Sequence, residues 1–253
     1  MSSVNLDISE EVVRISNLSI SFGDNHVLKS FNMHVGSGEN VVVLGKSGSG
    51  KSVLVKCIIG LLQADAGSIL VLNEEVTNIE GRRLDELRAK VGFLFQSNAL
   101  YDSMTIRENL EFPLRRHQRH LTKVERSNLV LEALNDVGLA HTIDSLPDEL
   151  SGGMKKRIAL ARALMLKPQI ILYDEPTTGL DPITAREISA LIVRIQHRYN
   201  TASIIISHDM NCVRATANRV VMLIDGRSYC EGSPVELAQS NDSSVKAFFE
   251  IPK

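Results

Sequence analysis

The sequence predicts an α/β fold in which a mostly parallel sheet is covered on both faces. Three short runs, Val41–Leu44, Ile170–Leu172 and Ile204–Ile206, are apolar at every position. A strand with no solvent-facing side has this composition, whereas a half-exposed strand alternates apolar and polar residues. Predicted helical segments separate these runs. Strands that alternate with helices are typical of a parallel sheet.

An antiparallel pair is expected before the first buried strand. Residues 18–22 and 31–35 alternate apolar with polar side chains, and residues 23–25, Gly-Asp-Asn, form a turn sequence. Two alternating runs near such a turn favour an antiparallel arrangement with one buried face. The chain is therefore predicted to open with an antiparallel β-subdomain.

Helix starts are predicted from capping sequences. Thr122–Glu125, Thr184–Glu187 and Ser233–Glu236 each place a hydroxyl residue three positions before a glutamate, which is the pattern of a capping box. Ser52–Leu62 and Lys155–Leu166 follow glycine-containing turns and are also predicted helices.

The chain is predicted to be one domain, residues 1–253. No strand-like run occurs between Gln96 and Pro168, so residues 96–168 are expected to form an inserted helical subdomain. Residues 1–95 and 169–253 then form the core around it.

A glycine-rich loop, Gly45–Ser52, joins the first buried strand to a predicted helix and fits the sequence GxxxxGK[ST]. Its backbone N–H groups can turn toward phosphates, and the following helix adds favourable dipole charge. Lys51 is expected on the β- and γ-phosphates, and Ser52 on Mg²⁺. Lys46 either lines the phosphates or faces solvent, and a chance glycine-rich turn is the alternative to the whole loop. The predicted ATP-binding residues of the loop are Gly45, Lys46, Ser47, Gly48, Ser49, Gly50, Lys51 and Ser52.

Two adjacent carboxylates, Asp174 and Glu175, follow the second buried strand. Such charges are costly unless they bind something, and Mg²⁺ beside a phosphate is a suitable partner. Asp174 is therefore a candidate for the Mg²⁺ shell, and Glu175 for orienting or deprotonating the attacking water. A strand end that emerges into solvent is the alternative.

A second glycine turn, Leu150–Met154, opens another predicted helix with the sequence Leu-Ser-Gly-Gly-Met. The N-terminus of a helix can bind an anion. One nucleotide does not need two such anion-binding helix N-termini from one subunit. Ser151, Gly152 and Gly153 are therefore expected to contact the ATP of a neighbouring subunit.

In this order the motifs resemble those of the ATP-binding cassette (ABC) ATPases over essentially the whole chain. Gln96 matches the family's Q-loop, Gly179–Asp181 its D-loop at the dimer interface, and His208 its switch histidine. The resemblance implies that Gln96 touches Mg²⁺ and the γ-phosphate, and that Gln96, Glu175 and His208 carry catalysis. Phe22 falls where the family stacks an aromatic ring on adenine, although an aromatic in an alternating strand is usually a core residue.

The same resemblance implies an architecture, cofactors and partners. The fold would be an ABC cassette with a RecA-like core, and ATP hydrolysis would be coupled to transport. ATP and Mg²⁺ are the implied cofactors, with Ser52, Gln96 and Asp174 around the metal. A second copy of the chain, in an ATP-sandwich dimer, and integral-membrane permease subunits are the implied partners.

Part of the chain is similar to the phospholipid-trafficking branch of this family, called Mla or toluene-tolerance and linked to Mce-domain proteins. Met154 belongs to this similarity, because ordinary importers usually carry glutamine there. The branch implies lipid transport, Mce-domain or other lipid-binding subunits, and a peripheral position on the cytoplasmic face of the inner membrane. The other segments that carry the similarity are Leu94–Thr105, Asn109, Phe112–Arg115, Asp181–Thr184 and Ser244–Phe249.

Composition narrows the possible function classes and locations of the protein. The 28 basic and 30 acidic side chains nearly balance, which disfavours nucleic-acid binding. Three widely spaced cysteines favour reduced thiols in the cytoplasm over disulfides or a zinc site. Residues 1–11 lack signal-peptide features, and no apolar run is long enough to span a bilayer. The remaining alternatives are another ABC importer branch, a soluble ABC ATPase such as an iron–sulfur assembly factor, and a non-catalytic binding module.

Overall fold

A computed structural model describes residues 10–249, so most of the segment considered for a signal peptide lies outside the described residues. Within that range two sheets are flanked by helices. No helix of residues 10–249 has the length and apolar composition needed to cross a bilayer. In chain order the elements are β1 (Glu11–Phe22), β2 (Asn25–Gly36), β3 (Asn40–Leu44), α1 (Lys51–Ile58), β4 (Ala66–Val71), β5 (Glu74–Glu75), α2 (Gly81–Arg88), β6 (Val91–Leu94), α3 (Ile106–His117), α4 (Lys123–Asp136), α5 (Gly152–Leu164), β7 (Ile170–Asp174), α6 (Pro182–Tyr199), β8 (Ala202–Ser207), α7 (Met210–Thr216), β9 (Arg219–Ile224), β10 (Arg227–Gly232), α8 (Pro234–Ala238) and α9 (Ser243–Phe249).

The first sheet is antiparallel, with the strand order β2-β1-β4-β5. Leu18 of β1 lies opposite Phe31 of β2, and both side chains are fully buried. The alternation of apolar and polar residues in these strands places one face of the sheet in the core. The antiparallel start predicted from the sequence is confirmed.

The second sheet has the order β10-β9-β3-β8-β7-β6, and it is parallel except for the pairing of β9 with β10. The three strands predicted to be buried, β3, β7 and β8, are three of its four interior strands. Because these strands are parallel, the loops after their carboxyl ends meet at one edge of the sheet. Four predicted site segments therefore converge there: the loops after β3, β6, β7 and β8.

Hydrophobic clusters cover both faces of this sheet. Val42 and Leu44 of β3 pack toward α3, α4, α5, α6 and α7, whereas Val41 and Val43 pack toward the antiparallel sheet, α1 and α2. Successive residues of one strand thus enter opposite clusters, which explains why β3 is apolar at every position. The predicted α/β class is confirmed.

The described residues between β6 and β7 contain helices and turns but no strand. α3 and α4 both begin at capping boxes, Thr105–Glu108 and Thr122–Glu125, and only the second was predicted. These helices share one hydrophobic cluster with the parallel sheet. The division of the chain into a core and a helical subdomain, residues 96–168, therefore stays a prediction.

One predicted helix start is wrong. α6 begins at Pro182 rather than after Thr184, and its N-cap is Asp181, whose carboxylate accepts the backbone N–H groups of residues 183 and 184 at 2.9 and 3.0 Å. Asp181 is a strong cap, and proline fits the first helical position because it has no N–H to satisfy. Glu187 is left to pair with Arg157 at 2.6 Å.

Two helices have other bounds than predicted. α1 ends at Ile58 rather than Leu62, and Gly60 follows with a φ of +65°, a backbone conformation in which a helix ends. α5 begins at Gly152 rather than Lys155 because Ser151 Oγ caps it, accepting the N–H of Met154 at 3.3 Å.

Candidate functional site

The glycine-rich loop after β3 wraps around the ammonium group of Lys51. Lys51 Nζ donates to the carbonyl oxygens of Gly45 at 2.8 Å and Lys46 at 2.9 Å, and the residue is 5% exposed. Burial lowers the pKa of Lys51, while the carboxylates of Glu175 and Asp174 oppose that shift. The loop therefore holds a largely dehydrated cation, which attracts a phosphate more strongly than a solvated one.

The shape of the loop depends on Gly50. Its φ is +102°, and a Cβ built there would lie 2.7 Å from Val27 Cγ1. A side chain at position 50 would meet both backbone strain and a steric clash. Gly50 therefore lets the first turn of α1 start directly behind the loop.

A hydroxyl and a carboxylate meet beside Lys51. Ser52 Oγ donates to Asp174 Oδ1 at 3.0 Å, and Asp174 is 8% exposed. Burial raises the pKa of Asp174, an effect that the Ser52 hydrogen bond opposes. Within residues 10–249, no Lys, Arg or His nitrogen lies within 4.0 Å of this carboxylate. Hydroxyl and carboxylate oxygens are the ligands that Mg²⁺ prefers, so this partly buried pair fits the cation.

Glu175, the residue after β7, has a strained backbone. Its φ is +52°, and its N–H donates to the carbonyl of Ile206 at 3.0 Å. This conformation aims the carboxylate at His208, with Glu175 Oε2 2.8 Å from His208 Nδ1, while Oε2 also accepts from the Thr178 hydroxyl at 3.1 Å. Glu175 Oε1 lies 3.9 Å from Lys51 Nζ. Left-handed residues other than glycine concentrate at functional sites, and the pairing with a histidine suits proton transfer.

Lys51, Ser52, Glu175 and His208 line a cavity of about 320 Å³, whose lining does not include Asp174. Phe22, at the end of β1, is 50% exposed and borders the cavity instead of joining the core. Gln96, just after β6, is exposed and lines the same cavity. The predicted site residues that line it are Phe22, Ser47, Gly48, Gly50, Lys51, Ser52, Gln96, Glu175 and His208.

Other predicted residues lie away from this cavity. Gly45 and Ser49 belong to the loop without lining the space. The exposed Lys46 side chain borders a neighbouring hollow between the loop and α9. Ser151, Gly152 and Gly153 do not line the Lys51 cavity of their own chain.

The two glycines that open α5 differ in what surrounds them. A Cβ on Gly153 would lie 2.5 Å from Thr184 Cγ2, so packing within the chain requires glycine there. A Cβ on Gly152 would meet nothing closer than Leu180 Cδ2 at 3.9 Å. Packing inside the subunit thus gives no reason for glycine at position 152. Ser151 beside it is exposed, and its hydroxyl keeps a proton to donate after capping α5.

Lys156 was missed by the sequence analysis. It is 2% exposed on α5, and burial lowers its pKa to about 8 although Asp174 and Glu175 act in the opposite direction. The signal was present, because Lys156 lies three and four residues before Ala159 and Leu160, on the buried face of the helix. A lysine on an apolar helical face is unusual enough to single out.

Residues 28–178 match the family described as ABC transporter. The chain is 37% identical to the intermembrane phospholipid transport system ATP-binding protein MlaF of Haemophilus influenzae, over 96% of this chain and 92% of that protein. It is 38% identical to the probable ribonucleotide transport ATP-binding protein mkl of Mycobacterium leprae, over 93% and 68%. It is 39% identical to the methionine import ATP-binding protein MetN of Rhizobium johnstonii, over 88% of this chain but 61% of the relative.

The fold is also similar to solved structures. The ATP-binding cassette MJ0796, in a dimeric post-hydrolysis state bound to ADP and Pi, aligns with a TM-score of 0.80 and 32% identity. The alignment covers 88% of this chain and 98% of that one. That protein is a dimer whose nucleotide has been hydrolysed.

Proposed function

Because this chain belongs to the ABC transporter family and is an ATP hydrolase that uses Mg²⁺, we propose that it powers phospholipid movement across or between bacterial membranes. It would do so as a peripheral subunit on the cytoplasmic face of the inner membrane. The observation that carries the hydrolytic part is the convergence of Lys51, Glu175 and His208 at one edge of the parallel sheet.

On this proposal each side chain around the cavity has a role that its contacts allow. Lys51 binds the β- and γ-phosphates, and Ser52, Asp174 and Gln96 would hold Mg²⁺, which would neutralise phosphate charge. Glu175 accepts a proton from the attacking water or orients it. His208 contacts both Glu175 and the γ-phosphate and holds them in position. Phe22 stacks on the adenine, because its ring is exposed beside the loop.

The Ser151 turn is proposed to complete the site of a second copy. Ser151 is exposed, lies away from its own Lys51 cavity, and stands beside a glycine with no packing reason inside the subunit. Its hydroxyl and the N-terminus of α5 can both bind phosphate oxygens. Two copies facing head to tail would therefore share two composite sites.

Mixing two inactive variants tests the composite site. Lys51→Ala and Ser151→Arg are each expected to abolish hydrolysis as homodimers, since every composite site then lacks one half. In a mixed dimer, one site has both of its defects and the other has none, so hydrolysis is expected to return. Phosphate release is measured after mixing, with mixed dimers verified by two different affinity tags. Verified mixed dimers that stay inactive would contradict the shared site.

The lipid assignment is supported by coverage and not by identity, since the three relatives are 37%, 38% and 39% identical to this chain. The match to the phospholipid transport relative spans nearly all of both chains, whereas this chain covers only 61% of the methionine relative and 68% of the ribonucleotide relative. Met154 adds to this, because methionine lacks the amide hydrogen-bonding groups of the glutamine usual in ordinary importers. Methionine or another small solute is the alternative cargo, and an Mce-domain or other lipid-binding subunit is the partner that the lipid proposal adds.

A permease is proposed to dock on the segment that follows Gln96. Tyr101 is 44% exposed and Phe112 is 37% exposed, with ring centroids 5.1 Å apart, and Met104 is partly buried beside them. The buried Asn109 amide shapes this loop, accepting the N–H of Tyr101 and donating to the carbonyls of Tyr101 and Met104. An exposed aromatic pair, with Tyr101 on this loop and Phe112 on α3, suits an apolar helix of a membrane partner.

The double variant Tyr101→Asp/Met104→Asp is expected to leave the membrane and to stop transport. The new carboxylates would have to be buried against an apolar partner without a counter-ion. In a strain that lacks the gene, wild-type protein should restore resistance of the envelope to detergent, and the double variant should not. ATP hydrolysis by the purified double variant should persist, because neither residue touches the Lys51 cavity.

Val124→Asp is the matched control, since Val124 is also an exposed apolar residue of the helical stretch and is 70% exposed. It should behave as wild type in both assays. Normal membrane association of the double variant would overturn the docking site. A deletion strain with an intact envelope and defective methionine uptake would overturn the lipid assignment and leave ATP hydrolysis unaffected.

A further inference from the structure

Two cations of α5 hold the backbone that follows β6. Lys156 Nζ donates to the carbonyl of Gln96 at 2.9 Å and to that of Phe95 at 3.4 Å. Arg162 donates to the carbonyls of Asn98 at 3.2 Å and Ala99 at 2.7 Å. Four of the five carbonyls of residues 95–99, here called the Gln96 segment, are thus bound to one helix.

The Gln96 segment has a conformation that needs such support. Asn98 and Ala99 have φ values of +64° and +52°, two left-handed residues in succession. Asparagine tolerates this conformation, but alanine disfavours it because its Cβ crowds the following carbonyl. The hydrogen bonds from Arg162 stabilise the segment at these two residues.

Lys156 has little to contribute to the fold itself. It is 2% exposed, and within residues 10–249 no carboxylate oxygen lies within 4.0 Å of its ammonium group. Burying an ammonium group with only carbonyl partners is unfavourable compared with burying an apolar side chain of the same length. A methionine could pack beside Ala159 and Leu160 on this face of α5. The position of the charge is therefore better explained by the carbonyl groups of the Gln96 segment that it binds.

We infer that Lys156 is a positioning residue that ties Gln96 to α5, so that the Gln96 segment and Ser151 move as one body. This inference rests on the proposed function, in which Gln96 acts on the ATP of its own subunit and Ser151 on that of the partner. The two positions are connected by a single helix, because Lys156 lies five residues after Ser151, the N-cap of α5. Binding of ATP at one site is thereby transmitted to the other site of the pair.

Lys156→Met tests this link because it removes the donors but keeps an unbranched side chain of similar length. Its kcat for ATP hydrolysis should fall by up to about a hundredfold, the order expected when a catalytic group is misplaced by about 1 Å. ATP affinity should be unchanged, since Lys156 does not line the Lys51 cavity. Lys156→Arg, which keeps a cation with several donors, should restore most of the rate. Lys123→Met, at an exposed lysine of α4, is the matched control and should hydrolyse ATP as wild type does.

Hydrogen–deuterium exchange gives a readout that a merely structural lysine would not change. It is measured in a Glu175→Gln background, so that bound ATP persists. With Lys156 present, ATP should slow exchange in the loop at residues 45–52, in the Gln96 segment and around Ser151. With Lys156→Met, the loop should still be protected, but protection around Ser151 should be lost.

Three results would overturn the inference. The first is unchanged kcat and unchanged protection around Ser151 in Lys156→Met. The second is a large fall in melting temperature for Lys156→Met that Lys156→Arg repairs without restoring kcat, because Lys156 would then serve the fold alone. The third is full activity of Gln96→Ala. That result rejects the proposed role of Gln96 as well, and so it separates failure of the proposed function from failure of the Lys156 link.

Discussion

Replacing Glu175 with glutamine is expected to lower ATP hydrolysis by about 10²–10⁴-fold, the usual contribution of a positioned general base. Glutamine has the size of glutamate and can still accept from the Thr178 hydroxyl and contact His208, which now hold the carboxylate. The variant loses the ability to take a proton from water. ATP binding should survive, because Lys51 and the loop around it are untouched.

A longer-lived ATP-bound dimer should accompany this loss of rate, since the nucleotide that joins the two copies is no longer hydrolysed. Phosphate release gives the rate, and light scattering with and without ATP gives the dimer. Glu86→Gln is the matched control: among residues 10–249 Glu86 pairs only with Arg82, on the surface of α2, at 2.8 Å. Wild-type hydrolysis by Glu175→Gln would move the catalytic base elsewhere.

Lys51→Ala is expected to weaken ATP binding about a hundredfold, the equivalent of about 3 kcal/mol for lost charge-assisted hydrogen bonds. The ammonium group is already buried and held by two loop carbonyls, so it binds a phosphate with little rearrangement. Hydrolysis should fall below detection, because the ammonium group 3.9 Å from Glu175 Oε1 is also lost. Nucleotide affinity is measured by equilibrium titration.

Lys123→Ala serves as the control, since Lys123 is exposed on α4 far along the chain from the loop. The melting temperature of Lys51→Ala should stay close to that of wild type, because removing a buried charge offsets the loss of its two hydrogen bonds. Near-normal hydrolysis by a folded Lys51→Ala would reject the assignment of the loop.

Much of the fold follows from local patterns. β3 could be predicted because both of its faces are covered, which makes every position apolar. The start of α4 could be predicted because one capping box satisfies its first turn locally. The start of α6 could not be decided in this way: Asp181 and Thr184 are both good caps, and Pro182 together with the carboxylate favoured the earlier one.

Site residues that belong to a continuous sequence motif could be predicted. Residues whose role depends on contacts with distant parts of the chain could not be predicted as well. The loop that holds Lys51 is continuous in sequence, and its pattern predicts its shape. Lys156 contacts carbonyls about 60 residues away, an interaction that no local pattern encodes. The strain at Glu175 is likewise set by β8, whose Ile206 carbonyl binds the Glu175 N–H.

The open space around Gly152 has a genetic consequence. Because a Cβ there clashes with nothing in its own subunit, a copy carrying a larger residue would fold and be made at normal levels. On the proposed arrangement its defect would fall on the ATP of its partner. In a cell that makes both kinds of copy, most randomly assembled pairs contain at least one damaged member. A mixed pair would keep one intact composite site, so such an allele would lower the activity of mixed pairs without abolishing it, whereas an allele that prevents folding would enter no pairs.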